Sequence, residues 1–125
     1  MGLDQFLYKV KTEMSTDEYY KKLNELDVDD CDCYNQEQYD TLNESINRIE
    51  IAEWRKFHKL DNYCTSLYKA RNNDDEFNCK YLELNSDDIQ NIIEKFGYDE
   101  YTLKRMKEAL IYINKGYRIW YSNSY

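Results

Sequence analysis

Both ends of this chain alternate apolar and polar residues, and the long stretch between them is mainly helical in its periodicity. Near the amino end, Asp4-Gln5-Phe6-Leu7-Tyr8-Lys9-Val10-Lys11 places Phe6, Tyr8 and Val10 at every second position, a strand with one buried face. Near the carboxy end, Tyr117, Ile119 and Tyr121 repeat the pattern. Short strands need partners, and a chain otherwise built of helices leaves the two terminal strands to pair with each other. A third alternating run, Phe77 to Leu84, carries Phe77, Cys79, Tyr81 and Glu83 on one side and joins them. The expected fold is α+β: one small domain over residues 1–125, with a short antiparallel sheet of these three strands packed with several helices.

The helices follow from periodicity and caps. Ser15 and Glu18 form a capping-box pattern that starts a short helix through Leu26, with Tyr19, Leu23 and Leu26 on one face. Tyr39, Leu42, Ile46 and Ile49 recur at spacings of three and four, and the period resumes through Trp54, Phe57, Leu60, Cys64 and Leu67. One helix over residues 36–71 fits, and so do two helices with a break where Ile49-Glu50-Ile51 alternates, the second covering about residues 53–71. Asn85 or Ser86 caps a helix carrying Ile89, Ile92, Ile93 and Phe96, which Gly97 is expected to end as a left-handed cap. Asp99 starts another, with Leu103, Met106, Leu110 and Ile113 inward and Gly116 closing it. The chain has no proline and three glycines, so nothing marks a second domain.

Charge is distributed unevenly. From Leu23 to Asn47 there are eight acidic residues (Glu25, Asp27, Asp29, Asp30, Asp32, Glu37, Asp40, Glu44) and no Lys or Arg. The whole protein has a net charge of -8, so this one stretch supplies all of the imbalance. Like charges this close repel, and a basic partner or a bound cation relieves the repulsion. The block reads either as a partner-binding surface (Glu25, Asp27, Asp29, Asp30, Asp32, Tyr34, Glu37 and Asp40) or as a solvated, solubilising face. An acidic chain is a poor ligand for nucleic acid, which is held by Lys and Arg. No segment has the apolar length of a membrane span, and the amino end lacks a secretory pattern, so the expected location is the cytoplasm. The expected state is a monomer or small oligomer.

Four cysteines complete the chemistry-bearing residues. Cys31 and Cys33 lie within the acidic block, Cys64 on a helical stripe and Cys79 on the third strand. Together they make a candidate tetrahedral zinc site tying loop, helix and strand, while separate thiols are the competing reading. The acidic loop is not a calcium hand: counting from Asp27, the sixth position is Asp32 where glycine is required, and the twelfth is Gln38 where glutamate is. Glycine-rich phosphate loops are absent. His58, the one histidine, stands six residues from Cys64, which sets the two on different helix faces. The expectation is a non-enzyme. Trp54-Arg55-Lys56-Phe57-His58-Lys59 is the most basic and aromatic run, read as Trp54 and Phe57 inward with the cations in water.

The opening Met1-Gly2-Leu3-Asp4-Gln5-Phe6-Leu7-Tyr8 resembles the start of a group of small phage and prophage proteins. Glu53-Trp54-Arg55-Lys56, Cys79-Lys80-Tyr81-Leu82-Glu83-Leu84 and Tyr98-Asp99-Glu100-Tyr101 are similar to further stretches of that group. The chain departs from it at Asp61-Asn62-Tyr63-Cys64, where the group shows His-Lys-Trp-Phe, so no role of that histidine carries over. The resemblance implies a mobile-element origin. By class analogy it implies an inhibitor of host defence, anti-CRISPR-like, whose acidic surface blocks the basic channel of a nucleic-acid-handling effector.

Overall fold

The computed structural model describes residues 2–11, 14–16, 18–19, 21–22, 48–72 and 80–124. Its elements are β1 (Asp4–Val10), β2 (Arg48–Arg55), α1 (His58–Asn72), β3 (Tyr81–Leu84), α2 (Ser86–Phe96), α3 (Glu100–Asn114) and β4 (Arg118–Ser124). The strands form one antiparallel sheet in the order β2-β1-β4-β3, and the three helices pack on one face of it. The terminal strands pair as their alternation predicts, in a register running from Asp4 opposite Ser124 to Val10 opposite Arg118. β3 lies against β4.

Alternation assigns each strand residue to a face. Leu7, Ala52, Trp54, Leu82, Leu84, Ile119 and Tyr121 point at the helices and join Leu60, Cys64, Ile89, Ile92, Phe96, Met106 and Ala109 in the main core. Phe6, Tyr8 and Val10, the alternating set of β1, lie on the opposite face. Of these only Val10 is fully buried, beneath Tyr19 and Trp120 in a smaller second cluster. Both faces of the sheet centre are therefore covered, which is why Ile119 and Trp120 are adjacent and both fully buried.

β2 corrects the helical reading of residues 36–71. Arg48–Arg55 is an edge strand, and α1 begins only at His58, so Trp54 reaches the core from a strand. The register against β1 slips between Leu7 and Tyr8: Leu7 faces Ala52 while Tyr8 faces Glu50, leaving Ile51 as the extra residue of a bulge. That insertion moves the inward set from Ile49 to Ala52 and Trp54, and a spacing of three imitates a helix. Lys56, at φ 58, turns the chain from β2 into α1 and donates its N–H to the Leu3 carbonyl at 2.8 Å.

Local chemistry sets the helix ends. Asp61 lies in the first turn of α1, with Lys69 and Arg71 in the last, which suits the helix dipole. Asn85 and Asp88 form a reciprocal capping box on α2, with Asp88 N–H donating to Asn85 Oδ1 at 2.8 Å and Asn85 N–H to Asp88 Oδ2 at 3.0 Å. Gly97 follows α2 in right-handed geometry (φ -67), not as the left-handed cap its sequence suggests. A side chain there would run into the Ile93 carbonyl, so close approach is what requires the glycine. Asp99 caps α3, accepting from Thr102 N–H at 3.0 Å and Thr102 Oγ1 at 2.6 Å. Gly116, at φ +96, supplies the left-handed turn into β4.

Candidate interaction surface

The residues Glu25, Asp27, Asp29, Asp30, Asp32, Tyr34, Glu37 and Asp40 lie outside the described residues, as do Cys31, Cys33 and Cys79. The proposed zinc centre of Cys31, Cys33, Cys64 and Cys79 is overturned at Cys64. Its side chain is wholly buried in the main core, and burial there pushes the thiol well above its ordinary pKa, the reverse of the thiolate a zinc ligand must be. Among the described residues no group of three or more His, Cys, Asp or Glu is placed to hold a metal ion. Cys64 is a packing residue. His58, at the start of α1, is exposed and on the surface, so the structure does not bring it to the buried thiol.

The described residues that flank the acidic stretch converge on one patch of the outer sheet face. Tyr19, on the amino-terminal side, packs edge-on against Tyr81 and Trp120, with ring centroids 5.6 and 5.5 Å apart. Arg48, on the carboxy-terminal side, lies over Tyr8 at 5.0 Å and Tyr81 at 5.7 Å and donates to the Tyr81 hydroxyl. Tyr81 and Trp120 are themselves in contact, their centroids 5.0 Å apart. Glu83 joins the patch by accepting from Arg118 Nη1 at 2.6 Å and Trp120 Nε1 at 3.3 Å. Burial raises the Tyr8 pKa, and the Arg48 charge partly opposes the shift. Tyr19 and Arg48, which lie on either side of the acidic stretch in sequence, thus meet at one aromatic platform.

The helix-facing side holds a buried polar network that sequence reading missed. Tyr121 donates its hydroxyl to Asp61 Oδ1 at 2.8 Å and accepts from Gln5 Nε2 at 3.0 Å. Asn123 Nδ2 donates to the same carboxylate oxygen at 2.8 Å. Gln5 also clamps the β2–α1 corner, accepting from Phe57 N–H at 2.8 Å and donating to the Phe57 carbonyl at 3.1 Å. Asp61 is 1% exposed and Gln5 fully buried, so the network ties β1, β4 and α1 together where water cannot reach. One signal for it was legible: Gln5, Tyr121 and Asn123 share the alternation phase of the core residues Leu7 and Ile119.

At the other end of β2, Glu53, Trp54, Arg55, Lys56, Phe57, Tyr98, Asp99 and Tyr101 line an open groove of about 500 Å³. Tyr98 is 70% exposed. As expected, Trp54 and Phe57 turn inward while Arg55, Lys56 and Lys59 face water, although Trp54 does so from a strand and not from the expected helix. Arg55 is held by Asp4 at 3.0 Å. Trp54 Nε1 donates to Thr102 Oγ1 at 2.8 Å, continuing the Thr102–Asp99 cap into the core. Among the described residues no helix is long and apolar enough to cross a membrane.

No family model, curated protein or solved structure matches this chain. Kinship with phage or anti-CRISPR proteins, expected from the opening motif, finds no support in these comparisons and is corrected accordingly.

Proposed function

We propose that the protein is a non-catalytic binding module that inhibits a nucleic-acid-handling protein by occupying its basic surface. Carboxylates of the acidic stretch take the place of nucleic-acid phosphates on a Lys/Arg-rich face. The observation that carries this reading is the run of eight acidic residues without Lys or Arg over residues 23–47, with Tyr19 before it and Arg48 after it in contact with the same aromatic platform. Charge of one sign also speeds encounter with a basic partner and makes the complex sensitive to salt.

The test compares the protein with a variant in which Asp27, Asp29, Asp30 and Asp32 are all replaced by Asn. Each is immobilised and exposed to nuclease-treated lysate, and retained proteins are identified by mass spectrometry. The native chain should retain a nucleic-acid-binding protein that a single-stranded oligonucleotide displaces, and the folded variant should lose it. Equal retention by the variant, or a complex indifferent to the oligonucleotide, refutes the reading.

A further inference from the structure

We infer that the outer edge of β2 is a docking site for an extended peptide segment of alternating basic and apolar residues, which adds to the sheet as a further strand. This inference stands without the reading of the acidic stretch.

Among the described residues β2 pairs only with β1, which leaves its other edge at the margin of the sheet. Glu53 directs its N–H away from β1, to the Tyr101 hydroxyl at 3.0 Å. This edge donor is aimed outward and is held by a side-chain hydroxyl that an added strand's carbonyl must displace; Tyr101 is 40% exposed. Strand addition supplies backbone hydrogen bonds for affinity and leaves selectivity to alternate side chains.

Those side chains are defined. Glu50 and Glu53 are exposed on the outer face and have no ion pair among the described residues, whereas the strand's two arginines are engaged, Arg48 with Tyr81 and Arg55 with Asp4. The bulge places Glu50 and Glu53 opposite Tyr8 and Phe6, two residues apart on a regular strand. A peptide beside β2 therefore meets both carboxylates with Lys or Arg at every second position. Its intervening residues fall on the face that carries Ile49, which is 48% exposed. The groove at one end of this edge sets the rings of Trp54, Phe57, Tyr98 and Tyr101 among the charges of Glu53, Arg55, Lys56 and Asp99. In the two-fold register that spans all of β2, a second copy would set Arg48 opposite Arg55 and Glu50 opposite Glu53, and like charges directly opposed are destabilising, which favours a separate basic peptide.

The probe is an acetylated, amidated heptapeptide alternating lysine and valine, titrated into the full-length ¹⁵N-labelled protein at physiological salt. Two controls accompany it: the same peptide N-methylated at alternate residues, which keeps the charge but cannot pair as a strand, and a glutamate–valine peptide. The lysine–valine peptide should shift the amides of residues 48–55 and Tyr101, and both controls should fail to do so. The Glu50→Gln, Glu53→Gln double variant should weaken binding about three- to tenfold, the effect of losing two cross-strand charge pairs. Equal binding by the N-methylated peptide, or shifts that leave β2 untouched, would overturn the inference, since attraction to the acidic stretch alone would then account for them.

Discussion

Replacing Tyr121 by Phe isolates the energetic weight of the buried network, because the ring stays and only the hydroxyl is lost. That hydroxyl is one of the donors holding the Asp61 carboxylate, 2.8 Å away and 1% exposed. A hydrogen bond to a charged group contributes about 1.5–3 kcal/mol, and the carboxylate left short of a donor cannot turn to water. Gln5 Nε2 keeps its bond to the Phe57 carbonyl but loses the Tyr121 hydroxyl as an acceptor, so the substitution leaves both Asp61 and a buried Gln5 N–H short of a partner. Tyr121→Phe should therefore destabilise the fold by about 2–3 kcal/mol, and for a chain of this size lower Tm by roughly 6–15 °C. Urea unfolding followed by tryptophan fluorescence gives the free energy, with an unchanged m-value showing that the native state is intact. Tyr117→Phe is the control, since Tyr117 is half-buried against Tyr112 outside the network, and should change stability by less than about 0.5 kcal/mol. A double-mutant cycle with Asp61→Asn should show non-additivity of about 1 kcal/mol or more. A Tyr121→Phe protein within about 0.5 kcal/mol of the parent would refute the assignment of the network as a fold-holding element.

Thr102→Val should cost about 1–3 kcal/mol in chemical denaturation, because it strands the buried Trp54 N–H and removes the hydroxyl that donates to Asp99, while the backbone cap stays. Asn85→Ala should cost about 1 kcal/mol by opening the α2 capping box, read as a lower urea midpoint with an unchanged slope. Burial raises both Cys64 and Tyr121 above their ordinary values of 9.0 and 10.0, so the folded chain keeps protons that the unfolded chain releases. Stability should be complete below about pH 8 and fall as pH rises, each group adding a slope of about 1.4 kcal/mol per pH unit once its unfolded form ionises. Denaturation across that alkaline range should show Cys64→Ala losing the earlier of the two slopes. The same variant should be destabilised by a similar amount with and without added zinc, since Cys64 acts by packing.

The terminal strands were legible because each carries its own period and their pairing follows by elimination. The α2 and α3 starts were legible because Asn85, Asp88 and Asp99 are capping residues at fixed offsets. β2 was not. Its bulge at Ile51 breaks the two-residue period into a spacing shared with a helix, and only the tertiary pairing with β1 distinguishes them. The Asp61 network was hidden for another reason: Gln5, Asp61 and Asn123 are polar and read as surface, and what makes them interior is their convergence on Tyr121, which lies 116 residues from Gln5. Tyr121 gave half of the clue, since an inward tyrosine needs a hydrogen-bond partner. Cys64 was read as either ligand or filler, and only its surroundings decide in favour of filler.

The two borders of the sheet are not equivalent. On β3, Arg71 already donates to the Glu83 carbonyl at 2.9 Å while a bidentate pair with Asp88 fixes its guanidinium. On β2, charged and bulged, the acceptor at Glu53 is the hydroxyl of Tyr101, whose ring packs edge-on against Trp54. A helix side chain thus occupies one backbone group at each border, and these two contacts act as stoppers against edge-to-edge growth, the way a capped chain end halts a polymer.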